Sequence, residues 1–140
     1  MIVLDTHTWV WLNDDTTRLS AEAGNAIQQE RTLGVSPISM WEIAMLWQYE
    51  RLELALPLEA WLEKACAQPK IRLLPITTAI AARLAQLEMH GDPADRIIVA
   101  TALVHQCKLV TRDDNITVGK LVETIWYPPP DETDLTNGTA

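Results

Sequence analysis

Apolar residues in this chain fall into two kinds of run. Short continuous ones, Ile2-Val3-Leu4, Gly34-Val35-Ser36, Ile71-Arg72-Leu73-Leu74 and Lys108-Leu109-Val110-Thr111, are bounded by polar or turn-forming residues and predict buried strands, with Glu123-Thr124-Ile125-Trp126 as a last edge strand. Between them the apolar positions recur at helical spacing. Thr8-Trp9-Val10-Trp11-Leu12 predicts a short helix that Asp14, Asp15 and Thr16 interrupt, and Ser20 opens another through Ala26 and Ile27. Ser39-Met40-Trp41-Glu42 has the form of a capping box leading into Ile43-Ala44-Met45-Leu46-Trp47. Pro57 starts a helix with Leu58, Trp61, Leu62 and Ala65 along one side, and Thr77 or Thr78 caps one carrying Ile80, Ala81, Leu84 and Leu87.

The clearest helix start is Asp92-Pro93-Ala94-Asp95. Asp92 suits the N-cap, Pro93 the first helical position, and Asp95 the first turn, where a carboxylate meets the positive end of the helix dipole. From Ile97 to Val104 no charge appears at any angle around the wheel, so this helix is expected to be covered on most sides. A β-branched run also suits a strand, but the Asp-Pro start and the length before Lys108 favour helix.

Strands alternating with helices need crossover connections, hence a parallel sheet with helices on both faces and an α/β class. In that arrangement Asp5 and Asp113 follow strands directly, while Glu42 and Asp95 are expected in the first turns of helices rising from the same sheet edge. Ligands of open α/β sheets bind outside the carboxyl ends of the strands. Capping also puts polar residues on this rim, but Ser, Thr and Asn cap as well as Asp does, and acids drawn together repel one another.

Each acid has a plain alternative. Asp95 can serve as a first-turn capping acid, and Glu42 can reach back to the backbone at Ser39. Yet both lie beside apolar stripes, Asp95 with Ile98, Val99 and Ala102, Glu42 with Met45, Leu46 and Tyr49, where an unpaired carboxylate is costly. A divalent cation would remove that cost. An oxygen-only ligand set suits a hard ion, Mg²⁺ or Mn²⁺, and not a structural zinc.

At 140 residues, 48% of them hydrophobic, the chain is long enough for one well-formed core. Residues 1–127 are expected to form that domain, and 128–140 a Pro-rich, acidic, disordered tail. The net charge of −8 argues against a protein that coats nucleic acid, without excluding an enzyme that cuts it. Cys66 and Cys107 stand outside any zinc or redox spacing and are expected to be reduced core residues. No signal peptide or membrane span is legible, which makes cytoplasm the expectation.

Arg96 and Arg112 flank the acids and are candidates for phosphate contact, with a solvated arginine at a sheet rim as the alternative. His7 and His90, lacking a partner at ligand spacing, are expected to be structural. Thr6, Thr111 and Ser39 can orient water or carboxylate, or bond backbone at a turn. The six tryptophans, among them Trp9, Trp11, Trp41 and Trp47, are expected first in the core and second at a partner surface, with stacking on unpaired bases a third reading that the sequence does not favour. A haloacid-dehalogenase-type phosphatase would want an acid where His7 stands, and no Gly-rich phosphate loop marks a nucleotide-binding domain, which leaves a non-catalytic α/β binding domain as the other alternative.

Taken together, Leu4-Asp5-Thr6, the segment Ser36-x-x-Ser39-x-Trp41-Glu42-Ile43, Asp92-Pro93-x-Asp95-Arg96-x-x-x-Ala100-Thr101-Ala102 and Leu109-Val110-Thr111-Arg112-Asp113 resemble the ordered motifs of PIN-domain ribonucleases. Within that family they are most similar to the VapC toxins of bacterial toxin–antitoxin pairs. The resemblance spans residue 1 to about residue 126 and leaves out the tail. It implies a three-layer α/β/α sandwich with a short parallel sheet and Mg²⁺- or Mn²⁺-dependent hydrolysis of RNA. It assigns Asp5, Glu42, Asp95 and Asp113 as catalytic, metal-holding acids; Asp92, read above as a cap, and Asp114 adjoin them, and either could share the metal or its water shell. It further implies a homodimer held inactive by a cognate antitoxin protein.

Overall fold

The computed structural model describes residues 1–128. The expected tail at 128–140 lies, but for its first residue, outside them.

Five short strands form one sheet in the order β3-β2-β1-β4-β5, with β1 at Ile2–Leu4, β2 at Leu33–Val35, β3 at Ile71–Leu73, β4 at Leu109–Val110 and β5 at Thr124–Ile125. Every pairing is parallel, so every return needs a crossover. Val3 lies opposite Gly34 on one side and Leu109 on the other. A Cβ at Gly34 would stand 2.6 Å from Leu74 Cδ1, so the central ladder uses glycine where that side chain closes over it.

Among the described residues, seven helices connect the strands: α1 (Thr6–Asp14), α2 (Ala21–Gln29), α3 (Pro37–Gln48), α4 (Leu58–Cys66), α5 (Thr78–Gln86), α6 (Pro93–Val104) and α7 (Asp114–Gly119), with one 3₁₀ turn at Thr16–Arg18. Alternation along β1 divides the core. Ile2 and Leu4 join Trp9, Ile27, Ile43 and Trp61 on one face; Val3 joins Ile98, Val99, Leu109 and Ile116 on the other. This is the three-layer α/β/α arrangement. As its uncharged wheel predicts, α6 is covered broadly: Ala94 and every residue from Ile98 to Ala102 are buried between the sheet and α5.

Two local expectations are corrected. Helix α3 starts earlier than the Ser39 capping box predicts. Ser36 is the N-cap, its hydroxyl accepting from the Ile38 amide, and Pro37 takes the first helical position. Ser39 is thus inside the helix, and Glu42 sits in the second turn, not the first. The stretch 112–115, expected as a simple turn, begins α7, whose N-cap is Asp113.

The tryptophans divide as well. Trp9 and Trp61 meet edge to face in the core at 5.3 Å, whereas Trp41 and Trp47 are 48% and 46% exposed. Cys66 and Cys107 are free thiols, half-buried.

Candidate metal-binding active site

In a sheet of this order the chain leaves β3 at one edge and returns as β4 beside β1, so the order reverses between β1 and β4 and opens a crevice at their carboxyl ends. Asp5 follows β1 and Asp113 follows β4; they sit on the two sides of that crevice. Helices α3 and α6 rise next to it and bring Glu42 and Asp95. All four acids, together with Asp92, line one open cleft of about 560 Å³.

Asp5 is the most fixed of them. It is 6% exposed, and both carboxylate oxygens are used: one accepts from the Thr6 amide at 2.8 Å, capping α1, the other from the Thr111 hydroxyl at 2.6 Å. Thr111 Oγ1 in turn accepts from the Asp113 amide at 3.0 Å, so one buried hydroxyl ties two of the acids together. Thr6 Oγ1 and Ser39 Oγ share a hydrogen bond of 2.9 Å that joins α1 to α3 below Glu42. Thr8 donates to the Val110 carbonyl at 2.8 Å and pins α1 to β4. Each of these buried threonines bonds a group distant in sequence, and together they tie α1, α3 and the end of β4 to one another.

The electrostatics follow from crowding. Burial pushes the Asp5 carboxyl up, against the hydrogen bonds from Thr111 and Thr6. Glu42 is also raised, first by burial and then by the charges of Asp5 and Asp92, with the Thr6 hydroxyl opposing. Asp95 is moved furthest, to about 7, by burial and then by the charges of Asp5, Asp113, Glu42 and Asp92. Its carboxylate makes no hydrogen bond among the described residues. Asp113 spends one oxygen capping α7, accepting from Asn115 and Ile116. Asp92 caps α6 through the Ala94 amide, as its position predicts.

Carboxylates crowded into one cleft, with the pKa values of Asp5, Glu42 and Asp95 raised, supply the oxygen donors that a hard divalent cation prefers. Among the described residues, no three His, Cys, Asp or Glu side chains close into a ready-made cluster. An ion of the Mg²⁺ type tolerates this, since it keeps several waters and takes one or two carboxylates directly.

The cations are arranged differently from the sequence expectation. Arg112 lines the cleft. Arg96 does not: it turns under α5, where Nη2 donates to the Leu84 carbonyl at 3.3 Å and Nε is buried without a hydrogen-bond partner among the described residues. Arg51 lines the cleft in its place, together with His7 and Trp11. His7, expected to be structural, is instead exposed on the cleft because α1 starts at Thr6, and Arg51 does not stand out in sequence because it reaches the cleft only through the turn that ends α3.

Residues 2–119 match the PIN domain family. The chain is a member of the PIN-domain family. This PIN domain is 40% identical over 114 residues to Ribonuclease VapC22 of Mycobacterium tuberculosis, a match covering 80% of this chain and 86% of that protein. Its fold is shared with the structure of VapBC2 from Rickettsia felis bound to a DNA fragment from their promoter, with a TM-score of 0.65, 13% identity, and coverage of 89% of this chain and 97% of that one. It is shared also with FitAcB from Neisseria gonorrhoeae, with a TM-score of 0.59, 24% identity, and coverage of 89% and 96%.

Proposed function

We propose that this PIN domain is a divalent-metal-dependent endoribonuclease acting as the toxin of a toxin–antitoxin pair, with residues 1–127 as its catalytic unit. The observation that carries the reading is the concentration of carboxylates in one cleft, with the Asp95 carboxyl pushed to about 7, in a chain 40% identical to a ribonuclease. Asp5, Glu42, Asp95 and Asp113 would hold the cation, Mg²⁺ or Mn²⁺. When bound, such an ion supplies Lewis acidity toward a phosphate oxygen and makes a nearby water more acidic.

The chain's own groups supply position. Thr111 and the Thr6 amide hold Asp5 in one orientation, and Thr111 fixes the backbone at Asp113, so the two sides of the crevice keep their spacing. Asp95 has to lose its proton to act as a ligand, which burial and its acidic neighbours resist in the absence of positive charge. Arg112, on the rim, is placed to meet a backbone phosphate and offset the net negative charge of the cleft.

A cognate antitoxin and a second copy of the chain are the proposed partners. One structural neighbour is a toxin–antitoxin complex from Klebsiella pneumoniae, with a TM-score of 0.54 and 23% identity over 81% of this chain and 87% of that one. Helix α3 supports a partner surface, since Trp41 and Trp47 stay about half exposed on it. No described helix is long and apolar enough to cross a membrane.

The test is cleavage of structured and single-stranded RNA by purified protein with Mg²⁺, with Mn²⁺ and with chelator, beside Asp5→Asn. Cleavage by the wild type with metal, and a loss of roughly a hundred- to a thousand-fold in the variant, are the expected results. Equal cleavage by the variant removes Asp5 from the site. No cleavage by the wild type under any condition leaves a non-catalytic binding domain.

A further inference from the structure

We propose that Arg51 and the His7–Trp11 pair form a nucleotide-binding subsite along the α3 wall of the cleft, gripping the strand beside the bond that is cut. The proposal rests on the ribonuclease reading and adds to it a path for unpaired RNA. On helix α3, Glu42 and Leu46 share the face that lines the cleft, and Arg51 continues that wall beyond the helix end. From Glu42 to the last helical residue, Gln48, the helix rises roughly 9 Å at about 1.5 Å per residue. Arg51 therefore enters the cleft from the far end of that wall.

Two features hold it there. Glu50 adopts φ 57°, a left-handed conformation rare for a residue with a side chain, and the Arg51 amide then donates to the Leu46 carbonyl at 2.8 Å. The guanidinium itself is exposed and makes no ion pair among the described residues, although acids line the same cleft. A free arginine at the end of a wall of acids is a phosphate contact in search of its anion.

His7 provides the second half. Its ring is exposed on the cleft and leans on Trp11, with centroids 5.7 Å apart and planes tilted by 48°. Trp11 is itself wedged against Trp126 at 5.7 Å, with Arg18 6.0 Å from its ring centroid. An exposed flat ring on a braced indole is a platform for one unstacked base, and such stacking does not depend on which base it is. Leu46, on the same cleft, offers apolar contact to the sugar.

The probe is a fluorescein-labelled single-stranded 12-nucleotide RNA of mixed sequence, with a blunt duplex of the same sequence beside it. Binding is read by anisotropy across a salt series in chelator, and single-strand cleavage is read separately with Mn²⁺. Arg51→Gln is expected to weaken single-strand binding about tenfold and to reduce the slope of log affinity against log salt by about 0.7, the loss of one phosphate contact. His7→Ala is expected to weaken it about tenfold with the slope unchanged, and His7→Phe, which keeps the flat ring, to restore it. Arg31→Gln, which removes the same charge from an exposed site before β2, serves as the control for net charge and is expected to move neither quantity. An unchanged slope in Arg51→Gln, His7→Phe as weak as His7→Ala, or equal wild-type affinity for duplex and single strand overturns the subsite while leaving the nuclease intact. A wild type that neither binds nor cleaves RNA overturns both.

Discussion

Asp5 and Asp95 face the same cleft under opposite conditions. Asp5 is almost completely buried, and both of its oxygens are hydrogen-bonded, one to an amide and one to a hydroxyl. Asp95 is only half-buried but has no hydrogen bond among the described residues, and four other acids bear on it. A carboxylate can thus be held by the fold or left waiting for a ligand, and this site contains one of each. On the proposed reading the fixed acid would define where a cation sits, and the unsatisfied one would respond most to protons and metal.

Removing what fixes Asp5 should break the comparison most severely. Thr111→Val keeps the shape but leaves the Asp5 carboxylate and the Asp113 amide without their shared partner. A loss of about 1–3 kcal/mol in urea unfolding is expected, together with a fall in RNA cleavage of roughly tenfold or more. Unchanged stability and activity would mean that Asp5 is held by the capping amide alone.

Asp95→Asn should have the opposite sign in stability. Burial and the neighbouring acids push the folded-state carboxyl up to about 7, far above the ordinary aspartate range, so ionising it costs folding free energy. The sign is that of a raised acid: the penalty is absent below about pH 4, grows as pH rises, and is complete above about pH 7. Allowing for the partial exposure of the group, roughly 1–2 kcal/mol is at stake. In chelator at pH 8 the variant should therefore melt several degrees above the wild type, and the difference should vanish near pH 4. Saturating Mn²⁺ should raise the wild-type melting temperature and the variant's less. A variant that melts lower than wild type in chelator at pH 8 would mark Asp95 as a helix-capping acid.

The smallest effect is expected at Ser39→Ala, which removes only the hydroxyl pair with Thr6 between α1 and α3. About 0.5–1.5 kcal/mol should be lost, with a shift in cleavage rate smaller than that of Thr111→Val. An equal or larger shift would show that Glu42 depends on this pair as closely as Asp5 depends on Thr111.

These contrasts mark what the sequence disclosed. Features encoded within a few residues were readable: Ser20, Thr77 and Asp92 cap the helices they were expected to cap, and the strand at Ile2–Leu4 lies where its apolar run predicts. Asp5, Glu42, Asp95 and Asp113 were legible as one rim because strand–helix alternation fixes which ends of the elements come together. What was misread depends on contacts far along the chain. Ser39 has the local form of a cap, but its hydroxyl is claimed by Thr6, 33 residues away, and Pro37 marks the true start of α3. Arg96 and Arg51 exchange places for the same kind of reason: the first is drawn under α5 by the Leu84 carbonyl, and the second is turned inward by the conformation of Glu50. Helix α7 was missed because it is short and polar, with Ile116 its one buried residue.

Strand β1 occupies the middle of the sheet, yet its neighbour β4 comes more than a hundred positions later, and the hydroxyl that orients Asp5 comes with it. During translation the first half of the crevice would be made early and wait for the second until Asp113 has emerged. A chain cut short before that point would carry three of the four acids and neither the β4 pairing nor the Thr111 bond. A prematurely terminated chain would consequently lack the completed crevice, and any activity that needs both of its sides would belong to the finished polypeptide alone.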